Sequence, residues 1–191
     1  MNTVLDFWRW AFGDLCDDDI KGIYAEWLVH KLLGIQTSRR VSWANSDIIT
    51  PGGTRIEVKS TAYLQSWKLL DERGELEANP RHALKTDDKS IRFSGLMAGD
   101  SIATHGTGAA NFKSDFYVFA FQCEKDFTKW NALDLNQWEF FLVPAHVLKK
   151  LGSKSISLAT LRAKFGALTA EELAIRSRAA IEAHESATKV K

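Results

Sequence analysis

Asp47, Glu57 and Lys59 are the residues whose types and spacing could do chemistry, with Glu26 as a fourth member. Asp47-Ile48-Ile49-Thr50 and Thr54-Arg55-Ile56-Glu57-Val58-Lys59 are β-rich runs separated by Pro51-Gly52-Gly53, a pattern that predicts a hairpin. With those three residues as the loop, Thr50 faces Thr54, Ile49 faces Arg55, Ile48 faces Ile56 and Asp47 faces Glu57. Facing residues on antiparallel strands share a side, with Cβ atoms about 4.5–5.5 Å apart. Lys59, two positions beyond Glu57, points to that same side. Two carboxylates so placed repel unless something positive stands between them: Lys59, an arginine or a divalent cation. Mg²⁺ takes hard oxygen ligands, commonly one or two carboxylates, a carbonyl and waters. Asp47, Glu57 and the Val58 carbonyl could supply that set, with Mn²⁺ as a substitute. A lysine beside such an ion can orient or deprotonate a bound water. The same residues also fit a surface salt bridge worth under about 1 kcal/mol. The helix upstream and the apolar strands downstream favour a built site.

The elements that must position these residues are legible in part. Asp17, Asp18 and Asp19 open a helix and Gly34 closes it, with Ile20, Ile23, Trp27 and Leu28 as its apolar stripe and Glu26 on the flank. Residues 1–16 read as a short amphipathic lead-in whose Val4, Leu5, Phe7, Trp8 and Phe12 pack onto the body. Ser60 to Trp67 reads as a turn into a helix or an extended arm, with Ser60 and Thr61 beginning the turn. Residues 71–90 read as loop or linking helix, Ser90 to Leu96 as a short strand, and 97–112 as a loop of small polar residues. Asp115 to Phe121 and Trp138 to Val143 are apolar runs of the kind found in strands covered on both faces. Ala145 to Leu151 and Leu158 to Phe165 predict helices, the second closed by Gly166, and the capping box Thr169-Ala170-Glu171-Glu172 opens a last helix to about Ser186. The order predicts an α/β fold with a central mixed sheet flanked by helices. It is read as one domain over 1–191, with a core at about 17–145 and a helical extension at 146–187.

Composition narrows the function classes. The chain has 191 residues, 45% hydrophobic and 26% charged, with 3 Pro and 12 Gly, which excludes collagenous, repeat-array and disordered classes. Lys+Arg 25 against Asp+Glu 24 leaves a formal charge of +1, so any polyanion contact needs a local patch rather than a global field. Cys16 and Cys123 form neither a disulfide frame nor a metal box, which suits a reducing, cytoplasmic setting. The histidines at 30, 82, 105, 146 and 184 lack ligand spacing for zinc. No run reaches the roughly 18 apolar residues of a membrane helix, and no signal peptide is read.

Taken in order, a helix acid at Glu26, Ser46-Asp47, and Glu57-Val58-Lys59 resemble the PD-(D/E)xK superfamily of restriction-endonuclease-like nucleases. The core of that family is a helix bearing an acid, a hairpin bearing an Asp and a (D/E)xK triplet, then a helix and another strand. Ser46 stands where the motif has Pro, and the run from Phe116 to Phe121 matches the next core strand. The resemblance covers residues 17–70 well and 115–145 loosely. It implies a restriction-endonuclease-like core and Mg²⁺-dependent hydrolysis of DNA phosphodiester bonds, in a restriction, defence or repair system. Asp47 and Glu57 would hold the metal, Lys59 would position water, Glu26 would bind a second metal or brace the first, and Gln65 would be a polar helper on the following helix. Arg39, Arg40, Lys68, Arg81, Lys85, Lys89 and Arg92 are scattered candidates for phosphate contact. Tyr63 and Trp67 are candidates for base stacking, with core packing as their other duty. The alternative function is a non-catalytic module that keeps the fold and binds nucleic acid or protein. RNA in place of DNA stays open, as does a homodimer.

Overall fold

A computed structural model describes residues 3–35, 40–41, 44–64, 87–97 and 111–189. Its first helix, α1 (Val4–Phe12), is opened by a reciprocal cap in which the Thr3 side chain accepts from the Asp6 amide and Asp6 accepts from the Thr3 amide. The second, α2 (Asp18–Leu32), is capped by Asp17, whose carboxylate accepts from the amides of Asp19 and Ile20. Gly34 follows its last turn at φ +68°, the left-handed conformation that ends a helix cheaply.

The hairpin forms in the expected register. Strands β1 (Ile48–Ile49) and β2 (Arg55–Ala62) pair antiparallel with Ile48 opposite Ile56 and Ile49 opposite Arg55. Across the turn Thr50 N donates to Thr54 O at 2.9 Å, and Gly53 takes φ +89°. A short strand β3 (Arg92–Phe93) precedes β4 (Phe116–Gln122) and β5 (Trp138–Pro144). β4 lies parallel to β2, Glu57 level with Tyr117 and Lys59 with Phe119, and antiparallel to β5. The sheet order is therefore β1-β2-β4-β5, and the sheet is mixed. Then come α3 (Ala145–Leu151), β6 (Ile156–Ser157), α4 (Leu158–Phe165) and α5 (Ala170–Lys189), with β6 pairing β3. The chain is mixed α/β, with helices on both faces of its central sheet.

Each residue of β4 is buried, because apolar layers cover both sides. Ala25, Leu28 and Val29 of α2 and Leu173 of α5 pack on Ile56, Val58, Val118 and Phe140. Phe93, Leu148, Leu158 and Leu161 pack on Tyr117, Phe119, Phe121 and Phe141 on the opposite face. Glu57 and Lys59 share the parity of Tyr117 and Phe119, so they stand on the second face, beside the edge where β1 stops. No helix among the described residues is long and apolar enough to cross a membrane.

Three expectations are corrected. The lead-in does not pack onto the body: Val4, Leu5, Phe7, Trp8 and Phe12 are all exposed, and Phe7 instead meets Trp10 and Phe12 within the same helix and its end. The buried face of α2 is Lys21, Ala25, Leu28 and Val29, while Ile23 and Trp27 look outward. Lys21 is tolerated inside because its ammonium donates to Asp18 Oδ1 at 2.8 Å and to Leu64 O at 3.1 Å. Ser60 and Thr61 begin no turn: β2 runs through Ala62, since β4 offers it a partner along that whole length. Tyr63 follows as a core residue, edge-on to Phe121 with its hydroxyl donating to Asp88.

Candidate functional site at the hairpin edge

Asp47 sits one residue before β1, where the ladder ends. Continued pairing would send Val58 N to the carbonyl of Ser46; it donates instead to Asp47 Oδ2 at 2.8 Å. The aspartate side chain thereby replaces a rung of backbone. Because a strand residue points its N–H and C=O to the same neighbour, the Val58 carbonyl is also directed at this edge. His30 of α2 fixes the other end of Asp47, its Nε2 lying 3.3 Å from the Asp47 carbonyl oxygen.

Glu57 is held on both oxygens. Lys59 Nζ donates to Oε1 at 2.8 Å, and Ser114 Oγ, just upstream of β4, donates toward Oε2 at 3.4 Å. Ser114 Oγ also lies 3.0 Å from Ser46 Oγ, tying together the segments that carry the two acids. Tyr117 stands level with Glu57 and donates its hydroxyl to Leu96 O at 2.8 Å. Burial, with the Glu57 and Asp47 charges behind it, pushes that phenol up to about 12. Gly95, at φ +66°, passes so near Lys59 that a Cβ there would lie 3.9 Å from Nζ.

The charges do not balance. Arg40 grips Glu26 through Nε and through Nη2 at 2.9 Å, and Lys59 is spent on Glu57. Asp47 has no ion-pair partner among the described residues. Burial, then the facing Glu57 charge, and more weakly Glu26, push its carboxyl up to about 7, against the pull of Val58 N–H and Lys59. No cluster of three His, Cys, Asp or Glu side chains able to enclose a metal occurs among the described residues. What the edge offers is Asp47, Glu57 and the Val58 carbonyl. Those are hard oxygens with a carboxylate short of positive charge, and they fit a Mg²⁺ ion that keeps much of its water.

Asp47, Glu57, Val58 and Lys59 are thus brought together as the hairpin register requires. Glu26 stands close enough to raise the Asp47 carboxyl, though its own oxygens face Arg40. Arg40, a candidate for phosphate contact, is engaged there instead. Lys89 is exposed on the turn after Asp87, and Arg92 is exposed and donates to Ser155 Oγ. Arg39, Gln65, Trp67, Lys68, Arg81 and Lys85 lie outside the described residues. Sequence reasoning missed Ser114 and Tyr117, whose nearness to Glu57 depends on the parallel pairing of β2 with β4. A polar Ser114-Asp115 step at the mouth of an apolar run was the available signal.

The turn itself is fastened from the far end of the chain. Glu185 of α5 accepts from Thr50 Oγ1 at 2.5 Å and from Thr54 Oγ1 at 3.1 Å. A Cβ on Gly52 would overlap that carboxylate, so any larger residue there would push the Glu185 side chain off the turn. No family model matches this chain, and no curated protein matches it.

Proposed function

We propose that this chain is a Mg²⁺-dependent nuclease with a restriction-endonuclease-like core, hydrolysing phosphodiester bonds of DNA. The observation that carries the reading is the half-buried Asp47 opposite Glu57, short of positive charge at an open sheet edge with a lysine alongside. The order of α2, hairpin and parallel β4 supports it, and DNA as substrate follows from the resemblance of Glu26, Asp47 and Glu57-Val58-Lys59 to that family.

Asp47, Glu57 and the Val58 carbonyl would hold the ion. A bound Mg²⁺ would polarise the scissile phosphate and lower the pKa of a water. The residues of the chain keep the donors in place. Val58 N–H and His30 fix the two ends of Asp47, while Ser114 and Lys59 fix the two oxygens of Glu57. Lys59 keeps an ammonium next to the point where negative charge develops during attack, and stabilises it. Tyr117, held protonated, anchors the Leu96 carbonyl and with it the backbone that passes over Lys59.

Titration with Mg²⁺ or Mn²⁺ tests the site: the wild-type melting temperature rises and that of Glu57→Gln does not. Cleavage of labelled single- and double-stranded DNA, lost in Lys59→Ala, then separates an enzyme from a binding module. Cation stabilisation without cleavage would favour the module, a reading that the commitment of Lys59 to Glu57 also suits. Absence of both would overturn the metal site.

A further inference from the structure

A groove of about 490 Å³ opens at the end of the sheet where β2 and β4 begin and β5 ends, with Ser114 as the wall it shares with Glu57. Arg55 lines it from the start of β2, Asp115 from the approach to β4, His146 and Lys149 from α3, and His184 from α5. The single carboxylate in that set is neutralised in place. Arg55 donates to Asp115 from Nε at 3.3 Å and from Nη2 at 3.1 Å, and His184 Nε2 stands 3.9 Å from it. Lys149 and His146 are exposed one helical turn apart, with no acid paired to either among the described residues. The groove therefore presents cationic and donor groups around an ion pair that cancels itself.

Its spacing from the acidic pair is set by the strand. Arg55 and Glu57 are two residues apart on one face of β2, about 6.6 Å at the usual rise. That is comparable to the separation of successive phosphates along an extended nucleotide strand. Resting on the nuclease reading above, we propose that the groove is a second phosphodiester subsite. Lys149 and His146, with the Arg55 N–H groups not given to Asp115, hold the phosphate next to the one cut at Asp47 and Glu57. The ligand is the sugar-phosphate backbone of a nucleic acid strand, recognised by charge and not by base. Any polyanion contact by a near-neutral chain needs a local patch, and among the described residues this one adjoins the acids.

The test is binding of a short fluorescent DNA oligonucleotide, and of an RNA of the same sequence, to the full chain in Ca²⁺ by anisotropy across a salt series. Lys149→Glu combined with His146→Ala should weaken binding about tenfold and lower the slope of log K against log salt by about 1 per phosphate contact removed. Lys164→Glu, the same charge change on exposed α4 surface away from the groove, should leave both nearly unchanged. Equal loss in the two variants, or none in either, overturns the subsite. If the wild type still cleaves DNA in Mg²⁺, the nuclease reading survives that result. A wild type that binds neither oligonucleotide overturns both. A preference for one sugar names the substrate without altering the role of the groove.

Discussion

Replacing Asp47 by Asn should stabilise the metal-free protein, and the gain should depend on pH in a way few aspartate substitutions do. The amide keeps an oxygen to accept from Val58 N but removes the charge that faces Glu57. The carboxyl rises from an ordinary 3.8 to about 7 on folding, a change of about three. At about 1.4 kcal/mol each, that is about 4 kcal/mol as an upper bound. A group whose folded pKa is raised favours folding while protonated. Its contribution is whole below pH 3.8, declines as pH rises, and is lost above about 7. Wild-type stability in EDTA should therefore fall from pH 4 to pH 8 by about 2–4 kcal/mol more than that of Asp47→Asn. At pH 8 the variant should melt about 5–15 °C higher, since 1 kcal/mol moves a chain of this size by about 2–4 °C. Saturating Mg²⁺ should close the gap by stabilising only the wild type. Thermal melts at a series of pH values, with and without the cation, decide the matter. A variant less stable than the wild type at pH 8 in EDTA, or a gain that persists undiminished at pH 4, refutes the claim that Asp47 is short of positive charge.

Other consequences are as direct. Gly52→Ala and Glu185→Ala should each lower the melting temperature, and the double variant should lose little more than either alone, because both break the same fastening of Thr50 and Thr54. Arg162 donates to Glu139 and to Asp88; Arg162→Met should cost about 2 kcal/mol in urea unfolding, as it strips both partly buried acids of their shared cation. The Cys16 thiol is buried and pushed up to about 11, so iodoacetamide at pH 8 should modify Cys123 well before Cys16 in the folded chain, and mass spectrometry after digestion reads the order.

What was legible in the sequence is what neighbours in the chain decide. Pro51-Gly52-Gly53 set the hairpin register, and with it the meeting of Asp47, Glu57 and Lys59. The Thr169 and Glu172 pairing that opens α5 was equally local, with amide and side chain exchanging hydrogen bonds at 2.8 and 3.2 Å. Contacts between distant segments were not legible. Of the stripe read for α2, Leu28 is buried, but Ile23 and Trp27 face outward. Close packing on β2 favours Ala25 and Val29 instead, and a buried donor at Lys21 serves the Leu64 carbonyl. Ser60 to Ala62 carry too little apolar pattern to announce a strand, and only pairing with β4 makes them one. The reach of Ser114 to Glu57 and the hold of Glu185 on the turn cross 57 and 135 positions of sequence, beyond any periodicity.

That last span has a consequence for the order in which the molecule becomes competent. The loop joining β1 to β2 emerges first and closes on its own glycines, whereas the acid that clamps it belongs to the closing turns of α5. A chain cut short before Glu185 retains Asp47 and Glu57 yet lacks the brace that steadies the bend between them. Loosening the last turns of α5 would thereby slacken the geometry of that edge while leaving its side chains in place.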